Sequence, residues 1–166
     1  MAVIADTSPL NYLLLIGAEE VLAALYQRVL IPESVLQELQ HPGSPKIVAQ
    51  WAAWLPAWIE VVPSRTFVIE PELMDLDPGE RSAIALARTH RLGALLVMDD
   101  WKARREAERR EIATIGTLGV LRDAAAQGLV DLPTAFANLR QTSFRAPEDL
   151  MTALLMADAE HGSRPE

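Results

Sequence analysis

Five acidic residues in this sequence stand where a folded chain could bring their carboxylates together. They are Asp6, Glu38, Glu80, Asp99 and Asp100. Carboxylates that share one pocket repel each other by about 4 kcal/mol per close pair at an effective dielectric constant near 20. A protein that gathers several of them therefore usually binds a divalent cation between them, and such an ion activates water and stabilises charge on phosphate. The pattern predicts metal-assisted phosphate chemistry.

Each acid also has a simpler interpretation at or near a helix end. Asp6 could bind the amides of the turn that follows it, and either member of the Asp99–Asp100 pair could cap the next helix. Glu80 comes three residues after Asp77, which is the spacing of a capping box. Glu38 could be an ordinary exposed helix residue. Capping explains single positions, but it gives no reason for the acids to converge.

Short apolar runs alternate with helical patterns, which predicts an α/β fold with a mainly parallel sheet and helices on both faces. The predicted strands are Ala2–Ala5, Val29–Ile31, Ile59–Val62, Phe67–Ile69, Ala94–Met98 and Ile112–Ile115. The predicted helices begin near Ser8, Glu19, Glu33, Lys46, Pro78, Trp101, Thr117, Leu132 and Pro147. In such sheets ligands bind beyond the carboxyl ends of the strands, where Asp6 and Asp99 lie.

Length and composition favour one globular domain, because the chain has 166 residues, 50% of them hydrophobic and 23% charged. We expect this domain to cover residues 1–160 and a disordered tail to follow over residues 161–166. The absence of cysteine excludes disulfides and thiolate metal sites, and the three scattered histidines form no zinc motif. With no basic leader and no apolar run long enough to cross a bilayer, we expect a soluble, cytoplasmic protein.

The net charge of −8 works against non-specific binding of nucleic acid. Basic residues are nevertheless concentrated in residues 102–110, directly after the late acidic pair. Arg104 and Arg105 could guide a phosphate backbone, or could form ordinary surface pairs with the glutamates of the same helix. Thr7 and Thr117 could place hydroxyls at the site, and the amides at the start of the helix that Thr117 begins could receive a phosphate.

With these residues in place, the chain resembles a PIN-domain ribonuclease of the kind found as the VapC-like toxin of bacterial and archaeal toxin–antitoxin pairs. The resemblance runs from about Val3 to Leu121 and rests on IADTSPLNYLLLIG, LIPESVLQEL, LDPGERSAIALA, LLVMDDWKARREA and IGTLGVL. It is strongest to a branch in which Gly-Glu opens the mid-chain acidic helix and Asp-Asp replaces the usual Thr-x-Asp/Asn. The fold that this implies is a three-layer α/β/α sandwich.

The resemblance implies that the acidic residues bind Mg²⁺ or Mn²⁺ and that the protein is an endoribonuclease. Asp6 and the Asp99–Asp100 pair would ligate the principal ion. Glu38 and Glu80 would hold a second ion or orient its water. The substituted motif leaves open which of Asp99 and Asp100 touches the metal. The residues by themselves support only a metal-dependent phosphate site.

Partners are also implied by the resemblance: an RNA substrate, a small antitoxin protein that covers the acidic cleft, and a second copy in a homodimer. The apolar segments Leu13–Ile16 and Leu22–Leu25 are candidate dimer surfaces. Trp51 and Trp54, one helical turn apart, are expected in core or dimer contacts, with base stacking as the alternative. Two other functions stay open: a non-catalytic PIN-fold interaction module, and a phospho-receiver-like domain, whose acidic pair would follow the first strand.

Overall fold

A five-stranded sheet forms the centre of the molecule in the computed structural model, which describes residues 1–162. The strands are β1 (Ala2–Ala5), β2 (Val29–Pro32), β3 (Ile59–Val62), β4 (Ala94–Val97) and β5 (Ala113–Ile115). The helices are α1 (Thr7–Leu15), α2 (Glu20–Tyr26), α3 (Glu33–Leu39), α4 (Lys46–Ala53), α5 (Pro78–Thr89), α6 (Trp101–Glu108), α7 (Thr117–Ala126), α8 (Leu132–Arg140) and α9 (Glu148–Gly162).

The strand order is β3–β2–β1–β4–β5, and every neighbouring pair is parallel. In the register of the two central strands, Ala5 of β1 lies beside Val97 of β4. The amide of Asp6 continues this pairing by donating a 2.9 Å hydrogen bond to the Val97 carbonyl. The residues that follow both strands therefore leave the sheet at the same edge, as the sequence predicted for Asp6 and Asp99.

Hydrophobic cores lie on both faces of the sheet, because successive side chains of a strand point to opposite sides. Val3 and Ala5 belong to the core covered by α1, α2, α7 and α8, whereas Ile4 belongs to the core covered by α5 and α6. Strands buried on both faces are typical of parallel sheets. The predicted three-layer α/β/α sandwich is confirmed.

Two sequence predictions outside the site differ from the structure. Phe67–Ile69 does not form a strand: it lies between short 3₁₀ turns at Ser64–Thr66 and Pro71–Leu73, and the flanking Pro63 and Pro71 lack the amide protons that a strand would donate. Helix α9 continues to Gly162, two residues beyond its predicted end. The rest of the expected disordered tail, residues 163–166, lies outside the described residues.

The aromatic and apolar candidates for contacts divide between core and surface. Trp51 packs against the core, with its ring centroid 6.1 Å from that of Trp58. Trp54 is 89% exposed, because α4 ends at the residue before it, so of the expected core or dimer contacts the core position is wrong for this tryptophan. Leu13 and Leu22 are fully buried and cannot contribute to a dimer surface. The homodimer itself stays a prediction.

No single helix within residues 1–162 is long and apolar enough to cross a bilayer. Helices α1 and α2 pass that test together by length and composition, but their axes are bent by 120°. Several of their apolar side chains are buried in the core just described.

Candidate active site

All five predicted acids line one open cleft of about 630 Å³ at the carboxyl ends of β1 and β4. They come from four separate stretches of chain, which the parallel sheet and the helices packed on it bring together. Thr7 and Trp101 also line this cleft. One wall is formed by Ser143, Phe144 and Arg145, which connect α8 to α9.

The wall is attached to α1 through Tyr12. The phenol oxygen of Tyr12 lies 3.1 Å from the hydroxyl oxygen of Ser143, and the ring of Tyr12 meets that of Phe144 edge to face with centroids 5.0 Å apart. An edge-to-face pair of this kind contributes about 0.5–1.5 kcal/mol beyond its buried area. The α8–α9 connection is therefore fixed over the cleft rather than hanging free.

Three carboxylates form a tight cluster in the cleft: Asp6, Glu38 and Asp77 each place one oxygen so that all three atoms lie within 4.8 Å of one another. Ligands on opposite sides of a magnesium ion are about 4.2 Å apart, twice the Mg–O distance of about 2.1 Å. The upper bound of 4.8 Å on the separation of the three oxygens is close to this value, so a small adjustment would let them share one ion. Without a cation, two charges at this upper bound repel by about 3.5 kcal/mol at an effective dielectric constant near 20.

Gly79 allows two of these carboxylates to approach the start of α5. A Cβ built on this residue would lie 2.6 Å from Oε2 of Glu38 and 2.9 Å from Oδ1 of Asp6, closer than real contacts allow. The amide of Gly79 donates a 2.8 Å hydrogen bond to Oε1 of Glu38. The hydroxyl of Thr7 donates a short hydrogen bond to Oε2 of the same carboxylate. Glu38 is therefore fixed in place, although it was expected to have only a secondary role.

Asp6 lies at the bottom of the cleft and is only 4% exposed. It precedes α1, which begins at Thr7 rather than at the predicted Ser8, but its side chain does not cap that helix. Its Oδ1 is buried and has no hydrogen-bond partner among the described residues. Burial first, and then the nearby Asp77, Glu80 and Glu38 carboxylates, raise the pKa of Asp6 well above its ordinary value.

The residues of this cluster fit a hard divalent cation. The donor set consists of carboxylate oxygens, which Mg²⁺ and Mn²⁺ prefer. The unpartnered Oδ1 of Asp6 is a buried acceptor that a cation would satisfy. Within the described part of the chain the three-ligand cluster contains only Asp6 of the four predicted metal ligands; Glu80, Asp99 and Asp100 line the same cleft outside it.

Glu80 and Asp77 form the predicted capping box at the start of α5. Oδ1 of Asp77 accepts a 3.1 Å hydrogen bond from the amide of Glu80, and Oε2 of Glu80 accepts a 3.2 Å bond from the amide of Asp77. Burial, then repulsion from Asp77 and Asp100, raises the pKa of Glu80 to about 7. A carboxyl group with this pKa can give or take a proton near neutral pH.

Asp99 and Asp100 are held in different ways. Both oxygens of Asp99 accept hydrogen bonds from Thr117: Oδ1 from the amide and Oδ2 from the hydroxyl, each at 2.7 Å. Burial raises the pKa of Asp99, while Thr117 and the Arg104 guanidinium act in the opposite direction. Asp100 is exposed and caps α6 by accepting a 2.9 Å bond from the amide of Ala103.

The residues predicted to contact substrate differ in how far they are buried and in whether their polar groups already have hydrogen-bond partners. Thr117 is fully buried, and its amide and hydroxyl bind Asp99, so neither is open to the phosphate expected there. Arg104 is half-buried and donates from Nε to the hydroxyl of Thr114 at 3.2 Å. Arg104 and the exposed Arg105 line a side groove of about 470 Å³ that Asp99 connects to the acidic cleft.

Sequence reasoning missed Asp77 as a candidate ligand and Gly79 as part of the site. Asp77 was recognised only as a helix cap, although the same residue caps α5 and points a carboxylate oxygen at Asp6 and Glu38. The available signal was the pair of acids three residues apart around Pro78–Gly79. Nothing in the sequence shows that α3 and α5 are neighbours, which is what brings Glu38 to this point.

The fold and site define an α/β protein with an oxygen-rich cleft suited to a divalent cation. Comparison with protein families then identifies the family: the model of the PIN domain matches residues 2–160. The chain therefore belongs to the PIN-domain family. PIN domains are generally nucleases and typically use divalent metals. A search of curated proteins found no match to the chain.

Proposed function

We propose that this protein is an endoribonuclease that depends on Mg²⁺ or Mn²⁺ and acts as the toxin of a type II toxin–antitoxin pair. The observation that carries the nuclease proposal is the cluster of Asp6, Glu38 and Asp77 oxygens within 4.8 Å, in a chain of the PIN-domain family. The toxin proposal rests on the resemblance of the sequence segments described above.

Hydrolysis of a phosphodiester joins a water oxygen to phosphorus and breaks one phosphorus–oxygen ester bond. The attacking water must lose a proton, and the leaving oxygen must gain one. When bound, Mg²⁺ or Mn²⁺ would lower the pKa of a coordinated water and neutralise charge on the phosphoryl oxygens. In our proposal Asp6, Glu38 and Asp77 would hold the ion, the Glu80 carboxylate accepts the proton of the attacking water, and the leaving oxygen takes its proton from solvent water.

Asp99 and Asp100 would complete the acidic site on its other side. Thr117 fixes the orientation of Asp99 through two hydrogen bonds of 2.7 Å, so this carboxylate is preorganised before any ligand arrives. Asp100 is more exposed and keeps one oxygen on the amide of Ala103. Either residue can supply an oxygen to a second ion or to its water; the sequence placed this pair on the principal ion with Asp6, and which of the two touches metal stays a prediction.

Charge determines when RNA can enter the cleft. A protein with net charge −8 and a cleft lined by acids repels a polyanion. Divalent ions in the cleft would offset part of this negative charge, while Arg104 and Arg105 lie in the adjoining groove. We therefore propose that RNA binding requires the metal, and not only cleavage.

The partner expected for the toxin role is a small antitoxin with a basic segment that neutralises the acidic cleft. A homodimer in the cytoplasm completes this proposal. Both follow from the resemblance, and the exposed Ile47 of α4 is available for a contact between copies. The phospho-receiver alternative is wrong, because the chain belongs to the PIN-domain family.

Cleavage of RNA by the purified protein tests the proposal. We expect single-stranded RNA to be cut with Mg²⁺ or Mn²⁺, no cleavage in EDTA, and loss of cleavage in Asp6→Asn. The matched control is Asp75→Asn, which removes an exposed carboxylate that does not line the cleft. If Asp6→Asn cuts RNA as fast as the parent, the assigned site is wrong.

Two further measurements separate the parts of the proposal. Calorimetry that detects no Mn²⁺ binding would favour the non-catalytic interaction module. Induced expression in bacteria should arrest growth for the parent and Asp75→Asn but not for Asp6→Asn. Normal growth with all three proteins, despite RNA cleavage in vitro, would contradict the toxin role and leave the nuclease in place.

A further inference from the structure

Trp101 is a large exposed aromatic residue at the mouth of the acidic cleft. It is the first residue of α6, directly after Asp99 and Asp100, and it is 70% exposed. It lines both the acidic cleft and the side groove that contains Arg104 and Arg105. Asp99 and Trp101 are the two residues that line both cavities.

The ring of Trp101 is held by Arg105, one helical turn further along α6. The guanidinium carbon of Arg105 lies 4.8 Å from the ring centroid, which is the geometry of a cation–π contact. Arg105 covers one face of the ring, and the residue as a whole is 70% exposed, so aromatic surface remains open to solvent. A cation–π contact at an exposed site contributes about 0.5–1 kcal/mol, so Arg105 favours this orientation of the ring and reduces the side-chain entropy that a stacking ligand would cost.

The electrostatics of the protein favour a contact of this kind over simple attraction of phosphates. The side groove combines Arg104 and Arg105 with Asp99 and Glu108, so its positive and negative side chains balance. With a net charge of −8 on the chain, phosphate attraction alone provides little affinity. Stacking of a base on an aromatic ring requires no net charge and contributes about 1–3 kcal/mol per base in single-strand binding proteins.

We infer that Trp101 is a stacking platform for one unpaired nucleobase of the substrate, next to the phosphate that the acidic cleft takes. This inference rests on the proposed function and adds to it a residue that binds a base of the substrate. In a duplex both faces of each base are covered by neighbouring base pairs, so a paired base cannot stack on Trp101. A base at the end of a stem or in a loop can.

Binding of single-stranded RNA to a cleavage-inactive protein tests this inference. In a Glu80→Gln background with Mg²⁺, which removes the proposed proton acceptor and keeps the three carboxylates proposed to hold the ion, fluorescence anisotropy would be measured with a labelled oligonucleotide and with a series in which one nucleotide at a time is abasic. An abasic nucleotide removes the base but keeps every phosphate. We expect one abasic position to raise Kd about tenfold, which corresponds to about 1.4 kcal/mol.

In the same cleavage-inactive background, Trp101→Ala should bind the intact oligonucleotide as weakly as the protein with Trp101 binds the abasic oligonucleotide. Trp101→Ala should bind the abasic oligonucleotide with no further loss of affinity. Trp101→Phe should restore most of the affinity, because it keeps an aromatic face. Trp54→Ala is the matched control: it removes a tryptophan that is 89% exposed and does not line the cleft, and it should bind like the parent. Thermal unfolding of each variant checks that the fold is kept.

Two results would overturn the platform. One is an unchanged Kd of Trp101→Ala for the intact oligonucleotide, which would show that Trp101 does not bind RNA and would favour contact with a protein partner. The other is a full abasic penalty that persists in Trp101→Ala, which would place the base elsewhere. In both cases cleavage of RNA by the protein with an intact Glu80 would still support the proposed function. If that protein neither binds nor cuts RNA with Mg²⁺ or Mn²⁺, the proposed function fails, and the platform fails with it.

Discussion

Replacing Gly79 with alanine would disturb the carboxylate cluster without removing any charge. The added Cβ would lie 2.6 Å from Oε2 of Glu38, whereas ordinary van der Waals contacts begin at 3.4 Å. Oε2 must therefore move by about 0.8 Å, the difference between these distances. Ligand distances in metal sites are tolerant to only about 0.2 Å. Oδ1 of Asp6, 2.9 Å from the added atom, must move as well.

We expect Gly79→Ala to weaken Mn²⁺ binding and to slow RNA cleavage, each by about 10- to 100-fold, the range found when groups that orient metal ligands are disturbed. Stability should change little. Gly79 does not have the positive φ that would exclude alanine, and alanine favours a helix interior over glycine by about 1 kcal/mol, which opposes the strain of the contact.

Calorimetric titration with Mn²⁺ measures the dissociation constant, and thermal unfolding checks the fold. Gly162→Ala is the control, since a Cβ there meets nothing within 4 Å. If Gly79→Ala binds Mn²⁺ with the dissociation constant of the parent, the ion does not lie between Asp6 and Glu38, and the reasoning is refuted.

Three further perturbations address single groups of the cleft. Asp77→Asn keeps a side chain that caps helices as well as aspartate does, so we expect unchanged thermal stability. It removes a proposed metal ligand, so Mn²⁺ binding should be at least about tenfold weaker. The equivalent change at the cap of α8, Asp131→Asn, is the control and should leave Mn²⁺ binding intact. Glu80 has a folded-state pKa of about 7 against an ordinary 4.5, so the stability it contributes below pH 4.5 is lost as the pH rises through 7. The melting temperature in EDTA should therefore fall between about pH 5 and pH 8 and recover with Mg²⁺, and a flat profile would contradict this assignment. Thr117→Val removes the hydroxyl that lies 2.7 Å from Asp99, and urea unfolding should show that the free energy of unfolding falls by about 1–3 kcal/mol. An unchanged unfolding midpoint would show that this hydrogen bond contributes nothing to stability.

The positions of Asp6 and Asp99 at one edge of the sheet could be predicted from the sequence. Each follows a short apolar run, and the alternation of strands and helices made a parallel sheet the expected arrangement. Once strands are parallel, their carboxyl ends must lie on the same side. That inference needs only the local pattern and the direction of each strand, and the register of Ala5 with Val97 agrees with it.

The grouping of Asp6 with Glu38 and Asp77 could not be predicted in the same way. It depends on how α3 packs beside α5, and no periodicity in either helix specifies that neighbour. Asp77 was harder still, because one local pattern, Asp-Pro-Gly-Glu, fully explains a helix cap and hides a second role. Trp54 shows the same limit: helical spacing predicted burial, but α4 ends before this residue and leaves it in solvent.

The α8–α9 connection has a consequence for the synthesis of the protein. A ribosome that has added Asp100 has already produced every acid of the cleft, but Ser143, Phe144 and Arg145 follow about 40 residues later. At roughly 5–20 residues per second, the growing chain spends about 2–8 seconds with its carboxylates made and the opposite wall absent. Tyr12 has no ring to pack against during that interval, so the cleft is assembled only after most of the polypeptide has been translated.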